Sequence, residues 1–316
     1  MPADGSPAAS GFIDLHQDIL SGVARIEGGF PRYGSSYLHG SPRAVVVWSS
    51  LYPDDRDDSL VRQLDAHREL LGSYGSSLRL ITTAEDLDKA DDRTGVLPHS
   101  EGLVLPGTGA HDLELLWSEH ELRSLSLTWN YETPYGFSCY DDDSAPLKPS
   151  GRRLVAALQL SPLFLDLAHL NGAGFFEALE RYAPPALVTH SFCRGIVDHP
   201  RGMTDDQLRA LGDHGGLVGL AFFPDFLGRQ GSIDEALRHI DRIASLAGDD
   251  AVSIGSDWGV APMGELGDPA ALVGLVDAVA GSFGPDLAEK FAFANASAFL
   301  HEQLPRRAEP ATARDR

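Results

Sequence analysis

The chain is expected to be an α/β protein closed into a (β/α)8 TIM barrel, and three observations lead there. Eight short apolar runs recur along it, amphipathic segments separate most of them, and polar residues gather at the C-terminal ends of five. The first four runs are GFIDLHQDI (11–19), RAVVVWSSL (43–51), GVLPHSEGL (95–103) and LRSLSLTWN (122–130). LFLDLAHL (163–170), ALVTHSF (186–192), GLVGLAFFP (216–224) and AVSIGSDW (251–258) follow. Near-continuous apolar strands separated by helices indicate a parallel sheet covered on both faces. Eight favour closure over an open doubly wound sheet, which usually carries a Gly-rich first turn. Here GTGAHD (107–112) follows no strand in the right frame.

The helical segments include 57–73, 151–160, 175–183, 204–216 and 232–248. Thr204 with Gln207 makes a capping box, and Gly215-Gly216 a C-terminal stop. A length of 316 residues suits one such barrel. With 43% hydrophobic and 22% charged residues, the chain buries a sizeable core, and disorder is excluded as its global state. The domain is expected over 11–303, with flexible ends at 1–10 and 304–316.

No apolar run approaches about 20 residues, so no membrane-spanning helix is expected. Against 46 Asp+Glu stand 25 Lys+Arg, a net charge of −21. Such a surface repels phosphate backbones and anionic lipid, which argues against nucleic-acid and membrane-surface partners. Two cysteines, Cys139 and Cys193, make no disulfide framework. The opening MPADGSPAASGF has neither a basic nor an apolar leader region. A cytoplasmic protein is expected.

A barrel buries its strands, so His or Asp inside an apolar run needs a reason. At the C-terminal end of a run the reason is usually an active site. The first run ends in His16-Gln17-Asp18, with His16 and Asp18 two apart and therefore on one face. Glu101, His169, His190 and Asp257 sit at or near the ends of the third, fifth, sixth and eighth runs. This ring of imidazoles and carboxylates supplies ligands for two divalent cations. Each motif alone is weak; their co-occurrence on five strands is what carries weight. His39, His67, His99, His111, His120, His214 and His239 are assigned to surface loops or helices.

At these residues the sequence resembles the renal or membrane dipeptidase family, zinc-dependent members of the amidohydrolase superfamily. The matching segments include DLHQD (14–18), SEG (100–102), LSLTWN (125–130) and DLAHLN (166–171). THSFCRGIVDHPRGMTDDQLRAL (189–211), GGLVGLAFFPDFL (215–227) and HIDRIASLAGDDAVSIGSD (239–257) continue it, with 189–227 the most specific stretch.

The resemblance implies an amidohydrolase-type barrel holding two divalent metal ions, zinc expected. His16 and Asp18 would bind one ion and His169 and His190 the other, with Glu101 bridging. Asp257 matches the acid/base carboxylate that orients a bridging hydroxide and then protonates the leaving amine. Arg201 matches the arginine that pairs with the substrate's C-terminal carboxylate, a task suited to its planar fork. Arg194 is a weaker candidate.

Departures from the family pattern matter as well. Where established dipeptidases often read LTHN, this chain has Trp129 before Asn130. Trp129 donates one indole N–H but carries no charge. GSDWGV (255–260) lacks the usual Asp-Gly after the catalytic Asp, which makes an apolar rim the expectation there. The aromatic, acidic loop 130–145 is read as a lid over the substrate. Cys193 is read as a buried small hydrophobe and Asp141–Asp143 as a solvated turn.

The leading expectation is a dipeptidase that cuts the amide of a dipeptide with a free C-terminal carboxylate, tolerating a D-residue there by resemblance. A second is a specialised amidohydrolase or proton-transfer enzyme on a natural-product or conjugated-peptide intermediate, marked by Trp129. A third is a binding protein that keeps the barrel and has lost catalysis. The expected partner is a small dipeptide-like substrate, and homodimerisation is left open.

Overall fold

A computed structural model describes residues 11–18, 44–51, 59–89, 91–102, 110–259, 264–267 and 270–307. Among them nine strands form one parallel sheet. They are β1 (Phe12–Gln17), β2 (Ala44–Leu51), β3 (Leu78–Leu80), β4 (Thr94–Ser100) and β5 (Ser124–Ser126), then β6 (Phe164–Asp166), β7 (Leu187–Ser191), β8 (Leu217–Leu220) and β9 (Val252–Ile254).

The order β2-β1-β9-β8-β7-β6-β5-β4 closes because β2 also pairs with β4, from Val46↔Gly95 to Leu51↔Ser100. The eight ring strands coincide with the eight apolar runs. β3 is the addition. It pairs with Thr94–Val96 at the start of β4, while β5 joins that strand only at His99 and Ser100.

Helices cover the ring: α1 (Ser59–Ser73), α2 (Ala84–Leu87), α3 (Ala110–Ser118), α4 (Pro149–Leu158), α5 (Gly172–Arg181) and α6 (Asp205–Asp213). After these come α7 (Pro224–Leu227), α8 (Ile233–Ala247), α9 (Ala271–Phe283), α10 (Pro285–Glu289) and α11 (Asn295–Gln303). α6 begins as its sequence dictates. The Thr204 hydroxyl accepts from Gln207 N while Gln207 Oε1 accepts from Thr204 N, satisfying two helix-start donors at once. Gly215 then turns the chain at φ 70°.

Two apolar clusters hold the layers. The larger packs strand faces against helices, with Leu154, Phe175, Leu208, Ile240 and Leu275 among its buried members. The smaller joins Ile13, Leu15, Leu97, Phe164, Leu187 and Leu217 from five strands, which meet only inside the ring; Phe299, Leu300 and Leu304 pack with them. Burying a side chain of this size stabilises the fold by about 1.5–3 kcal/mol. The plugged ring leaves its other mouth, at the strands' C-terminal ends, for polar groups.

The flexible tail expected from Leu304 is held at its start. Leu304 is buried, Pro305 O accepts from Ala84 N, and the Arg307 guanidinium pairs with Asp86 at 2.6 Å. The proposed flexible N-terminus 1–10 and residues 308–316 lie outside the described residues.

Candidate metal centre

The polar mouth is built from strand ends. His16 is the penultimate residue of β1 with Asp18 just beyond the strand, Glu101 follows β4, and His190 lies near the end of β7. His169 and Asp257 each come three residues after a strand, β6 and β9. Register slips interrupt β1 between Asp14 and Gln17 and β7 between Val188 and Ser191. Irregularities of this kind re-aim side chains, and each slip carries one site histidine.

His169 and Asp257 also occupy left-handed backbone, at φ 65° and 63°. For residues with a Cβ that conformation costs about 1–3 kcal/mol each and gathers at functional sites. His169 O accepts from Cys139 N, and Asp257 N donates to His16 O, so neighbouring segments hold both turns.

All six predicted donors converge. His169 Nε2 lies 2.6 Å from Glu101 Oε1, and His190 Nε2 lies 3.3 Å from the same oxygen. His16 Nε2 is 3.7 Å from Asp18, 3.9 Å from Glu101 and 3.7 Å from Asp257. Three sets have ligand atoms mutually within 4.8 Å: His16/Asp18/Glu101, Glu101/His169/His190 and His16/His190/Asp257. All six residues are buried. Among the described residues, both ring nitrogens of His16 and Nδ1 of His169 lack a hydrogen-bond partner. Buried orphan imidazoles beside gathered carboxylates are costly alone and are the donor set that divalent cations take. The residues fit a metal centre.

Electrostatics divide the cluster. Burial alone would lower His16, but Glu101, Asp18 and Asp257 raise it to about 10. His169 is lowered to about 4 by burial and by the Arg201 guanidinium. His190 is pushed down by burial first, then by His16 and Arg201. Burial raises Glu101, yet His169 and His16 outweigh it and hold the carboxylate low. Asp257 rises to about 7 because it is buried, with Asp18 and Glu101 adding to the effect.

Arg201 is 5% exposed and, among the described residues, makes no ion pair. It donates from Nη2 to His190 O, and with His169, Cys139, Ser191, Phe175 and Met203 it lines a cleft beside the cluster. Arg194 lines the same cleft but is half-exposed and paired with Asp198. Trp129 and Asn130 do not line it. Trp129 is half-buried, its ring 5.5 Å from Tyr131, and Asn130 is exposed. Trp129 instead presses on the turn after Glu101. A Cβ on Gly102, at φ 72°, would stand 2.8 Å from that of Trp129.

Several expectations need correction. The loop 130–145, read as a lid, is tethered at several points, and its Cys139 and Asp143 line the cleft beside the cluster. Asn171 N donates to Phe137 O, Asn171 Nδ2 donates to Asp142 O and Ala145 O at 2.7 Å each, and Asp143 accepts from Gly172 N. Trp258 adds nothing to an apolar rim, since it is buried with its indole N–H on Leu266 O. His67, His99 and His239 are buried rather than superficial. Cys193 is buried as expected, its thiol pushed up to about 12 by burial.

His99 is the consequential omission. It lies on β4, 5.9 Å from the His16 ring, with Nδ1 3.1 Å from Ser124 Oγ and Nε2 3.3 Å from Asp166. The signal was available: His99 stands two residues before Glu101 and so shares its face. Asp14 and Asp166 were also passed over. Asp14 accepts from His16 N, Gln17 Nε2, Ser256 N and Ser256 Oγ, tying the β1 end to the β9 end.

Solved structures share the shape of this barrel. An amidohydrolase from Pseudomonas aeruginosa superposes with a TM-score of 0.82 at 19% identity, over 95% of this chain and 99% of that one. A Rhodobacter sphaeroides metallopeptidase, solved with a phosphinate mimic of the dipeptide L-Ala-D-Ala, gives 0.78 at 24% identity, over 93% and 99%. A Klebsiella pneumoniae protein described as uncharacterised, from the pqqA 5′ region, is 30% identical over 245 residues, covering 73% of this chain and 90% of its own. The membrane dipeptidase family, peptidase family M19, matches residues 20–295. The chain belongs to that family and is an enzyme of its metallopeptidase class. Despite the family's name, no helix among the described residues is long and apolar enough to cross a membrane.

Proposed function

We propose that the chain is a binuclear, zinc-dependent dipeptidase that hydrolyses the amide of a dipeptide bearing a free C-terminal carboxylate. The observation that carries this is Glu101. It is shared by the sets His16/Asp18/Glu101 and Glu101/His169/His190, which have no other residue in common. That sharing supports a reading with two cation positions bridged by one carboxylate. Ions held there supply Lewis acidity, acidifying water and polarising a carbonyl oxygen.

The protein's own groups complete the reading. Arg201, buried and without an ion pair among the described residues, presents a guanidinium fork suited to a substrate carboxylate at the cleft beside the cluster. Asp257, raised to about 7, is a carboxyl that can accept a proton from the attacking water near neutrality and return it to the leaving nitrogen. Its hold on the His16 backbone keeps that oxygen at the cluster. Trp129, packed on the turn behind Glu101, stands where the family pattern often has a histidine, so this chain relies on its other groups to stabilise the oxyanion.

The test is metal content by elemental analysis and turnover of a dipeptide panel with L- and D-residues at the carboxyl end, on one purified sample. Two ions per chain with turnover that disappears in Asp257→Asn is the expected result. Two ions without turnover of any dipeptide would move the assignment to the specialised-substrate enzyme, with Trp129→His as the next variant. Failure to bind zinc at all would overturn the proposal.

A further inference from the structure

We propose that Thr189, held by Asp166, is a positioning residue that fixes the His190 proton on Nδ1 and leaves Nε2 bare toward the cluster. The inference rests on the reading of His190 as a metal ligand. Neutral imidazole has one bare nitrogen, and a metal takes only that one. Which nitrogen is bare is therefore decided by what the other one meets.

At His190 the neighbours differ on the two sides. Nε2 lies 3.0 Å from His169 Nε2 and 3.3 Å from Glu101 Oε1, whereas Nδ1 lies 3.0 Å from Thr189 Oγ1. A threonine hydroxyl carries one proton. It goes to Asp166 Oδ2, 2.7 Å away, because a carboxylate only accepts. The hydroxyl's lone pairs then face Nδ1, which must donate. The proton sits on Nδ1, and Nε2 is left to coordinate.

Asp166 Oδ2 also lies 3.3 Å from His99 Nε2, a second group beside the oxygen that takes the threonine proton. Asp166 Oδ1 accepts from Thr189 N at 3.0 Å and from Ala168 N at 2.9 Å, so one carboxylate grips both ends of the threonine. A Cβ on Gly219 of β8 or on Gly255, just after β9, would collide with the Thr189 carbonyl, so both glycines let those segments close on that peptide. Thr189 and Asp166 are fully buried, and no bulk water competes for their hydrogen bonds. The other histidine of the pair shows no such brace, since His169 Nδ1 has no hydrogen-bond partner among the described residues.

The test begins with the metal-stripped protein carrying 15N-histidine, read by long-range proton–nitrogen correlation and assigned with a His190→Gln sample. Wild type is expected to show a protonated Nδ1 and a bare Nε2 at His190. Thr189→Val, which removes the hydroxyl and keeps the shape, is expected to show a mixed or reversed tautomer. Zinc affinity, measured by competition with a chromogenic chelator, should then fall roughly 10–100-fold for one of the two ions. Thr189→Ser restores the hydroxyl and should recover both readouts.

A protonated Nε2 in wild type overturns the inference. So does a valine variant with unchanged tautomer and unchanged affinity. If the valine variant fails to fold, the wild-type spectrum alone decides. Wild type that binds no zinc sinks the dipeptidase reading instead, and the tautomer measurement is untouched by that result.

Discussion

The two sides of the cluster share Glu101 and differ in almost everything else. On the β1/β9 side, His16 meets Asp18 and Asp257, and the surrounding carboxylates raise it to about 10. On the β6/β7 side, His169 and His190 meet each other and Arg201, and His169 falls to about 4. One side gathers negative charge; the other holds bare nitrogen next to a fixed positive charge. The difference assigns each side a task. The acidic side suits the proton handling proposed for Asp257, while the side with Arg201 suits the carboxylate recognition proposed there.

Breaking the shared element should be the largest perturbation. Glu101→Gln removes the one carboxylate common to both ligand sets. Bound zinc is expected to fall below two per chain, with an affinity loss beyond the roughly 10–100-fold typical of an outer partner. Elemental analysis and turnover read it; a variant that keeps two ions would show that the sides do not depend on Glu101. Next comes Asp257→Asn, confined to the acidic side. Here kcat should drop roughly 10²–10⁴-fold while zinc content changes less than in Glu101→Gln.

Arg201 tests the other side. Arg201→Met should lower kcat/KM about 30-fold or more for a dipeptide with a free carboxylate, since a desolvated charge pair loses one partner. The same dipeptide capped as its C-terminal amide should be cut equally by wild type and variant. Equal losses on both substrates would remove Arg201 from carboxylate recognition.

How much of this was legible in the sequence differs by element. The eight ring strands were legible because a strand buried on both faces needs an uninterrupted apolar run. The six donors stood out because each is a polar intrusion into such a run. β3 was not, since LRL at 78–80 is too short to separate from its surroundings. His99 was hidden by proline beside it, although its spacing from Glu101 placed it on the site face. Asp14 and Asp166 look like further polar intrusions, and only their hydrogen bonds show that they serve neighbouring backbone and side chains. The slips in β1 and β7 have no signature in composition. They are tertiary accommodations that aim His16 and His190.

The smallest expected effect is also the most direct probe of the asymmetry, because it needs no mutation. Consider the protein after chelation. His16 is raised from 6.5 to about 10, so its stabilising contribution is complete below about pH 6.5 and is lost as pH rises through about 10. His169 is lowered from 6.5 to about 4, so its contribution is present above about pH 6.5 and is lost as pH falls through about 4. The two sides thus pull in opposite directions, and the stripped protein should melt highest near neutrality, with separate declines toward acid and base. Replacing His16 by Gln should flatten the basic decline and leave the acidic one, while replacing His169 by Gln should do the reverse. Thermal unfolding of the three stripped proteins between pH 4 and 10 reads this directly. Two variants that flatten the same limb would mean that the cluster titrates as one unit, and the division between its sides would fall.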